Sequence, residues 1–269
     1  MRFLLAFLFL PASLFCIELN PWFGELFELE TRFTYTLQQF NSVNTTCSKS
    51  DYSSYDSFYQ LGAELPVLDY DVQLEATAFN TRRHSLNLDD LSLTARYKLM
   101  NDIVGDPVTL TSGITFTKVF KPGRRDIASF HHGGFESELH LAAGQENSWR
   151  EFWTSRWWAL IGIGMADVGD PWIRANMAWE NNWCNQHRAG IFLYSLWGLG
   201  PRRLSLERPF HGYGRIHHQS IDLGFRYEYL FEYFGQLRME YARRLYARNC
   251  PRGVNIFMFS LLYPFGLGI

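Results

Sequence analysis

Beyond residue 17 the chain has no run of about 18 apolar residues, which excludes a helix crossing a bilayer. It has no excess of one charge either: 25 Lys and Arg stand against 27 Asp and Glu, for a net charge of −2. That balance gives no reason to expect nucleic acid as a partner. Cysteines number four, and their spacing fits no zinc pattern. No internal repeat or low-complexity linker divides the chain, so a single domain is expected after any leader. Aromatics, by contrast, are abundant: 23 Phe, 14 Tyr and 9 Trp make up 17% of the residues. Such enrichment suits strands, and it suits rings seated at a membrane–water boundary.

The first residues read as an export signal. Met1 and Arg2 form a short basic start, and residues 3–15 are apolar apart from Pro11 and Ser13. That run is too short to span a bilayer but has the length and order of a secretory signal peptide. Residues 1–16 are assigned to the signal, with cleavage expected between Ser13 and Ile17, and residues 17–269 to the mature domain. Lipidation at Cys16 is disfavoured by the bulky Phe15 before it.

The mature domain alternates with period two. In residues 27–37 the odd positions are Phe27, Leu29, Thr31, Phe33, Tyr35 and Leu37, while the even ones include Glu28, Glu30 and Arg32. A helix of 3.6 residues per turn would not sort them so. The pattern recurs at 68–78, 91–99, 135–143 and 221–231. Shorter candidates lie near 55–65, 108–118, 153–165, 172–180, 188–197, 236–246 and 254–269. The expectation is a closed antiparallel transmembrane β-barrel of about twelve strands, each long enough to cross a membrane at a tilt. A soluble sandwich can alternate as well. The connections separate the two: 41–54, 80–88, 119–134 and 199–215 are long and polar, whereas those near Pro66, 101–107 and 233–236 are short. Membrane barrels sort loop length by side in this way. Connection 166–171 is short and departs from the rule.

At the C-terminus Phe257, Phe259, Leu261, Tyr263, Phe265, Leu267 and Ile269 alternate to the last residue. This resembles the terminal strand by which the assembly machinery recognises outer-membrane barrels of Gram-negative bacteria, apart from the final Ile269 and the internal Pro264. The chain as a whole looks like outer-membrane proteins of chlamydial type. The resemblance implies an outer-membrane location, contact with its lipid, and the assembly machinery as a partner.

On that reading the polar face of the strands lines a lumen. Its charged residues are Glu28, Glu30, Arg32, Asp71, Glu75, Arg96, Lys98, Glu136, Glu138, Arg156, Arg174, Glu180, Asp222, Arg226, Glu228, Arg238, Glu240 and Arg244. Opposite charges could bridge the lumen and close it, or line a small pore. Two long loops are basic: Lys121, Arg124 and Arg125 in one, Arg202, Arg203, Arg208 and Arg215 in the other. They would draw small anionic solutes to a mouth or hold lipid phosphates. A narrow porin-like channel or general outer-membrane protein, without catalysis and without cofactor or metal, is the first expectation.

Two alternatives stay open. His218-Gln219-Ser220 resembles the His-x-Ser pair of outer membrane phospholipase A, which implies a lipid hydrolase; Ile221-Asp222 replaces the Asn-Gly that comes next in that enzyme. On the strand parity, however, Ser220 points into the lumen, away from lipid. The other alternative is a surface structural or adhesive protein. Cys47 and Cys250 fall in loops that barrel closure brings side by side, so a disulfide is expected between them, leaving Cys184 unpaired on the opposite side. His131-His132 shows no acidic or cysteine partner in sequence, so no metal is assigned there.

Overall fold

The structure is a computed structural model that describes residues 19–45, 49–149, 152–232 and 235–266. The expected signal peptide, Cys47, Leu267 and Ile269 lie outside the described residues. The strands are β1 (Glu28–Asn44), β2 (Lys49–Val67), β3 (Tyr70–Asn80), β4 (Asn87–Met100), β5 (Thr109–Val119), β6 (Phe135–Trp149) and β7 (Phe152–Ala166). They continue with β8 (Trp172–Trp183), β9 (His187–Gly198), β10 (Gln219–Phe231), β11 (Gly235–Arg248), the two-residue β12 (Pro251–Arg252) and β13 (Asn255–Gly266). From β1 to β11 consecutive strands pair antiparallel, β13 pairs with β11, and β1 pairs with both β2 and β13, so twelve strands close a barrel. Closure removes the free edge, the condition for sheet in hydrocarbon. Seam contacts include the Thr34–Ser260 hydroxyl pair at 2.8 Å and Thr31 Oγ1 donating to the Tyr263 carbonyl at 3.1 Å.

Side chains of opposite parity part to opposite faces, as the pleat demands. Val72, Leu74, Leu93, Leu139, Ile161 and Ile191 stand exposed on the outside, while Asp71, Glu75, Arg96, Glu180 and Arg226 are buried inside. Many of the exposed aromatics gather towards the strand ends, although Phe225 and Tyr241 pair at mid-strand. Tyr70, Tyr97, Trp149, Phe152, Trp183 and Phe265 lie near the short turns; Tyr55, Phe135, Trp197, Tyr246 and Phe257 lie near the long loops. An aliphatic band between two aromatic girdles is the exterior of a membrane barrel. A soluble domain has no means of covering so continuous an apolar belt.

The long-loop end differs from the sequence expectation. Residues 41–54 are mostly strand rather than loop, because β1 and β2 stay paired out to Asn44 and Lys49 and β12 adds to β1 at Ser42 and Val43. The connection 120–134, with its short helix α1 (Lys121–Arg124), folds into the barrel, as does 199–218. Their apolar residues Ile127, Ala128, Leu204, Phe210, Tyr213 and Ile216 join Phe40, Val43, Phe58, Phe79 and Val254 in a buried cluster. Burying each large side chain is worth about 1.5–3 kcal/mol, enough in sum to hold the loops inward. Tyr213 anchors both loops: its amide donates to the His131 carbonyl at 2.7 Å and its hydroxyl to that of Ile127 at 2.9 Å.

Candidate functional site: the lumen and its two ends

Most charges on the inner face are paired along the wall rather than across the lumen. Arg226 on β10 donates to Glu240 on β11 and to Glu180 on β8, both at 2.7 Å, and to the Tyr194 hydroxyl at 3.3 Å. Arg156 reaches the other oxygen of Glu180, and Arg238 meets Glu228 at 2.6 Å. On the β1–β4 wall Arg96 holds Asp71 at 2.7 Å and Glu64 at 3.0 Å, and Arg32 holds Glu75 at 3.3 Å. Arg174 pairs with Glu138, which also accepts from the Trp172 indole at 3.2 Å, and Arg244 makes a two-pronged bond with Asp222 at 2.7 and 2.9 Å. Each pair joins strands no more than two places apart in the sheet. Such charge-assisted bonds hold the guanidinium groups against the wall, and the fork of Arg244 on Asp222 also fixes its plane. Glu30 is half-buried on β1, Glu28 sits at the short-turn end, and Lys98 lies 4.7 Å above the Phe23 ring.

Residues 19–23, just ahead of β1, also occupy the lumen. The Asn20 carbonyl accepts from Arg96 at 2.7 Å, the Trp22 indole donates to Asp102 at 3.2 Å, and Arg156 stacks over Trp22 at 5.0 Å. Leu19 and Trp22 are buried there. Between them and the inward loops lies a cavity of about 220 Å³, lined by Glu75, Glu136, Trp158, Trp172, Asn176 and Asp222 among others.

A second cavity of about 300 Å³ sits within 199–218 at the long-loop end, lined by Arg202, Arg203, Arg208, His211 and Arg215. All four arginines are exposed, as are Lys121 and Arg125, while Arg124 is half-buried. The basic side chains of 199–218 therefore converge on one vestibule.

His218 and Ser220 are both buried at the inner rim. The His218 Nε2 lies 3.0 Å from the Nε2 of His132, its ring meets Tyr213 edge-on at 5.0 Å, and no hydrogen bond joins it to Ser220. Burial pushes the His132 pKa down to about 4 and that of His218 well below 6.5, so both rings are neutral and share one N–H···N bond. His132 also stacks on Trp172 at 3.9 Å. Burial lowers the His131 pKa, but Asp89 and then Glu136 outweigh it and raise the value well above 6.5. Asp89 and Asp90 beside His131 are site residues that the strand pattern did not single out.

Cys184 is exposed in the β8–β9 turn, where it and Asn185 both have positive φ, as a type I′ turn requires. Cys250 is a buried free thiol at the long-loop end whose Sγ donates to the Gln219 carbonyl at 3.3 Å. Its expected partner, Cys47, is outside the described residues.

No family model matches the chain, and no curated protein does. Solved structures do. An outer membrane channel from Pseudomonas putida F1 superposes with a TM-score of 0.68 at 13% identity, over 93% of this chain and 100% of that one. The chain shares the fold of outer-membrane channels. The NanC porin superposes with a TM-score of 0.54 at 9% identity, over 87% of this chain and 98% of the porin. The translocator domain of the autotransporter NalP from Neisseria meningitidis gives 0.52 at 9% identity, over 90% of each chain. At these identities the likeness is one of architecture.

Proposed function

We propose that the protein is a narrow outer-membrane channel for small water-soluble solutes, with anions favoured at its outer mouth. The observation that carries this reading is a cavity of about 220 Å³, lined by polar and charged side chains together with Trp158 and Trp172, inside a closed wall whose exterior is apolar. Because the wall's own charges neutralise one another, the field at the mouth is set by Arg202, Arg203, Arg208 and Arg215. A cleft lined by one sign of charge raises the local concentration of the opposite ion. The resemblance to chlamydial-type proteins rests on the sequence pattern alone. The outward Phe257, Phe259, Leu261, Tyr263 and Phe265 of β13 are the surface offered to the assembly machinery. The hydrolase alternative has weaker support, since His218 is engaged by His132 and Ser220 faces away from lipid.

Reconstitution in planar bilayers tests the proposal. Small, discrete conductance steps are expected, with a reversal potential in a salt gradient that reports anion preference. Changing the four arginines to Gln should move that potential towards zero. No steps at high protein load would refute the channel, and cation preference would refute the role given to the vestibule.

A further inference from the structure

We propose that Asp89, Asp90 and His131 form a binding site for a divalent transition-metal ion, zinc above all, which staples the inward loop 120–134 to the barrel wall. A β-bulge builds the site. Thr77 on β3 pairs with Asp90 and Ala78 with Leu88, which leaves Asp89 as the extra residue. A bulge re-aims a side chain, and here it turns two successive carboxylates to the same inner side, where strict alternation would send one outward. The ligand atoms of Asp89, Asp90 and His131 all lie within 4.8 Å of one another.

The geometry suits one ion. His131 Nε2 is 3.2 Å from Asp89 Oδ1 and 3.7 Å from Asp90 Oδ2. Bonds of about 2.0–2.1 Å in a tetrahedron place neighbouring ligand atoms roughly 3.3 Å apart. Asp89 is fully buried, yet both of its oxygens lack a well-formed hydrogen bond, as does His131 Nε2. Buried carboxylates in that state are rare, and a metal is one of the groups that satisfies them. Asp90 is oriented by Ser92, which donates to Oδ1 at 3.2 Å and leaves Oδ2 towards the histidine. Glu136 Oε1 accepts from the Gly133 amide at 3.1 Å and faces His131 Nδ1 at 3.7 Å. Zinc would displace the Nε2 proton that faces Asp89, and the carboxylate behind Nδ1 keeps the remaining proton there, which leaves Nε2 as the ligand. Gly123 of α1 leaves room for the Asp89 carboxylate, because a Cβ there would lie 1.8 Å from Oδ1. Asp90 and His131 line the lumen cavity, which gives an ion a path in and a water the open ligand position.

The test uses the folded full barrel in detergent, stripped of metal and titrated with zinc chloride by calorimetry. A single equivalent should bind saturably. Asp89→Asn with Asp90→Asn keeps shape and all 8 histidines, so loss of that binding places the ion at this site rather than on surface imidazoles. His131→Gln should lose it too, and Glu136→Gln should weaken it roughly 10- to 100-fold. Circular dichroism confirms that each barrel is folded. Zinc should also slow tryptic cleavage after Arg124 and Arg125 in the wild type and not in the Asn variant. No saturable binding by the wild type, or binding and protection unchanged in the folded Asn variant, would overturn the proposal.

Discussion

A single arginine on the outer face measures whether that face meets hydrocarbon. Ile161 on β7 is 53% exposed, and its cross-strand partners are Leu141 on β6 and Ala175 on β8. It lies well inside the girdles, with Trp157 of its own strand towards the short-turn end. Ile161→Arg therefore sets a guanidinium among aliphatic side chains with no carboxylate on that face. At a bilayer midplane the cost is about 2–4 kcal/mol, and near the interface it falls to about 0–1. Leu86 in the β3–β4 connection is more exposed than Ile161 but lies beyond the band, so Leu86→Arg serves as the control. Reversible urea unfolding from liposomes should show the first variant destabilised by roughly 30- to 700-fold in equilibrium constant and the second by less than about 5-fold. An exposed position in a water-soluble sheet would tolerate either change within about 0.5 kcal/mol. Equal, near-zero effects for both variants would refute the assignment of the apolar face to lipid.

Other consequences are checked as directly. Arg226→Gln removes the cation shared by Glu180 and Glu240; its cost is at most about 3–5 kcal/mol and less where lumen water reaches the carboxylates, and Glu240→Gln on top should recover part of it in urea titrations. His218 has a pKa well below 6.5 in the folded barrel, so the unfolded chain binds the extra proton first. The stability it contributes is present above pH about 6.5 and is lost as pH falls towards the lowered value; His218→Phe should flatten the decline in urea midpoint between pH 7 and 5. Cys184 in the exposed β8–β9 turn should react with a membrane-impermeant maleimide in detergent and be protected in intact cells; rapid labelling of whole cells would invert the topology.

The centres of the twelve strands were legible because a residue facing hydrocarbon and a residue facing a polar lumen cannot exchange places without cost. That rule stops where its two environments stop. Leu19, Trp22, Ile127 and Tyr213 are apolar yet sit inside the barrel, packed on other inward segments, and alternation says nothing of a loop folded into the lumen. Residues 41–54 look like a polar loop because their strands rise beyond the apolar band, where neither face has to be hydrophobic. The trio of Asp89, Asp90 and His131 is hidden twice: a bulge breaks the parity between the two aspartates, and an inward loop brings the histidine back from 41 residues away. His131 looked partnerless because its partners are neighbours only in space.

The wall pairing also changes what the lumen charges mean. From sequence, Arg226, Glu228, Arg238 and Glu240 count as pore charges that would steer a solute. In the folded wall each is held by its neighbour, with Arg226 on Glu240 and Arg238 on Glu228. A close ion pair presents little net field to a passing ion, and in a closed barrel it also ties one strand to the next. The four arginines of the outer vestibule have no such carboxylates beside them in the lining of their cavity. On the channel function proposed above, selectivity belongs to the loops and cohesion to the wall. The two can be told apart: substitutions in the wall should move the urea midpoint and leave the reversal potential, whereas substitutions in the vestibule should do the reverse.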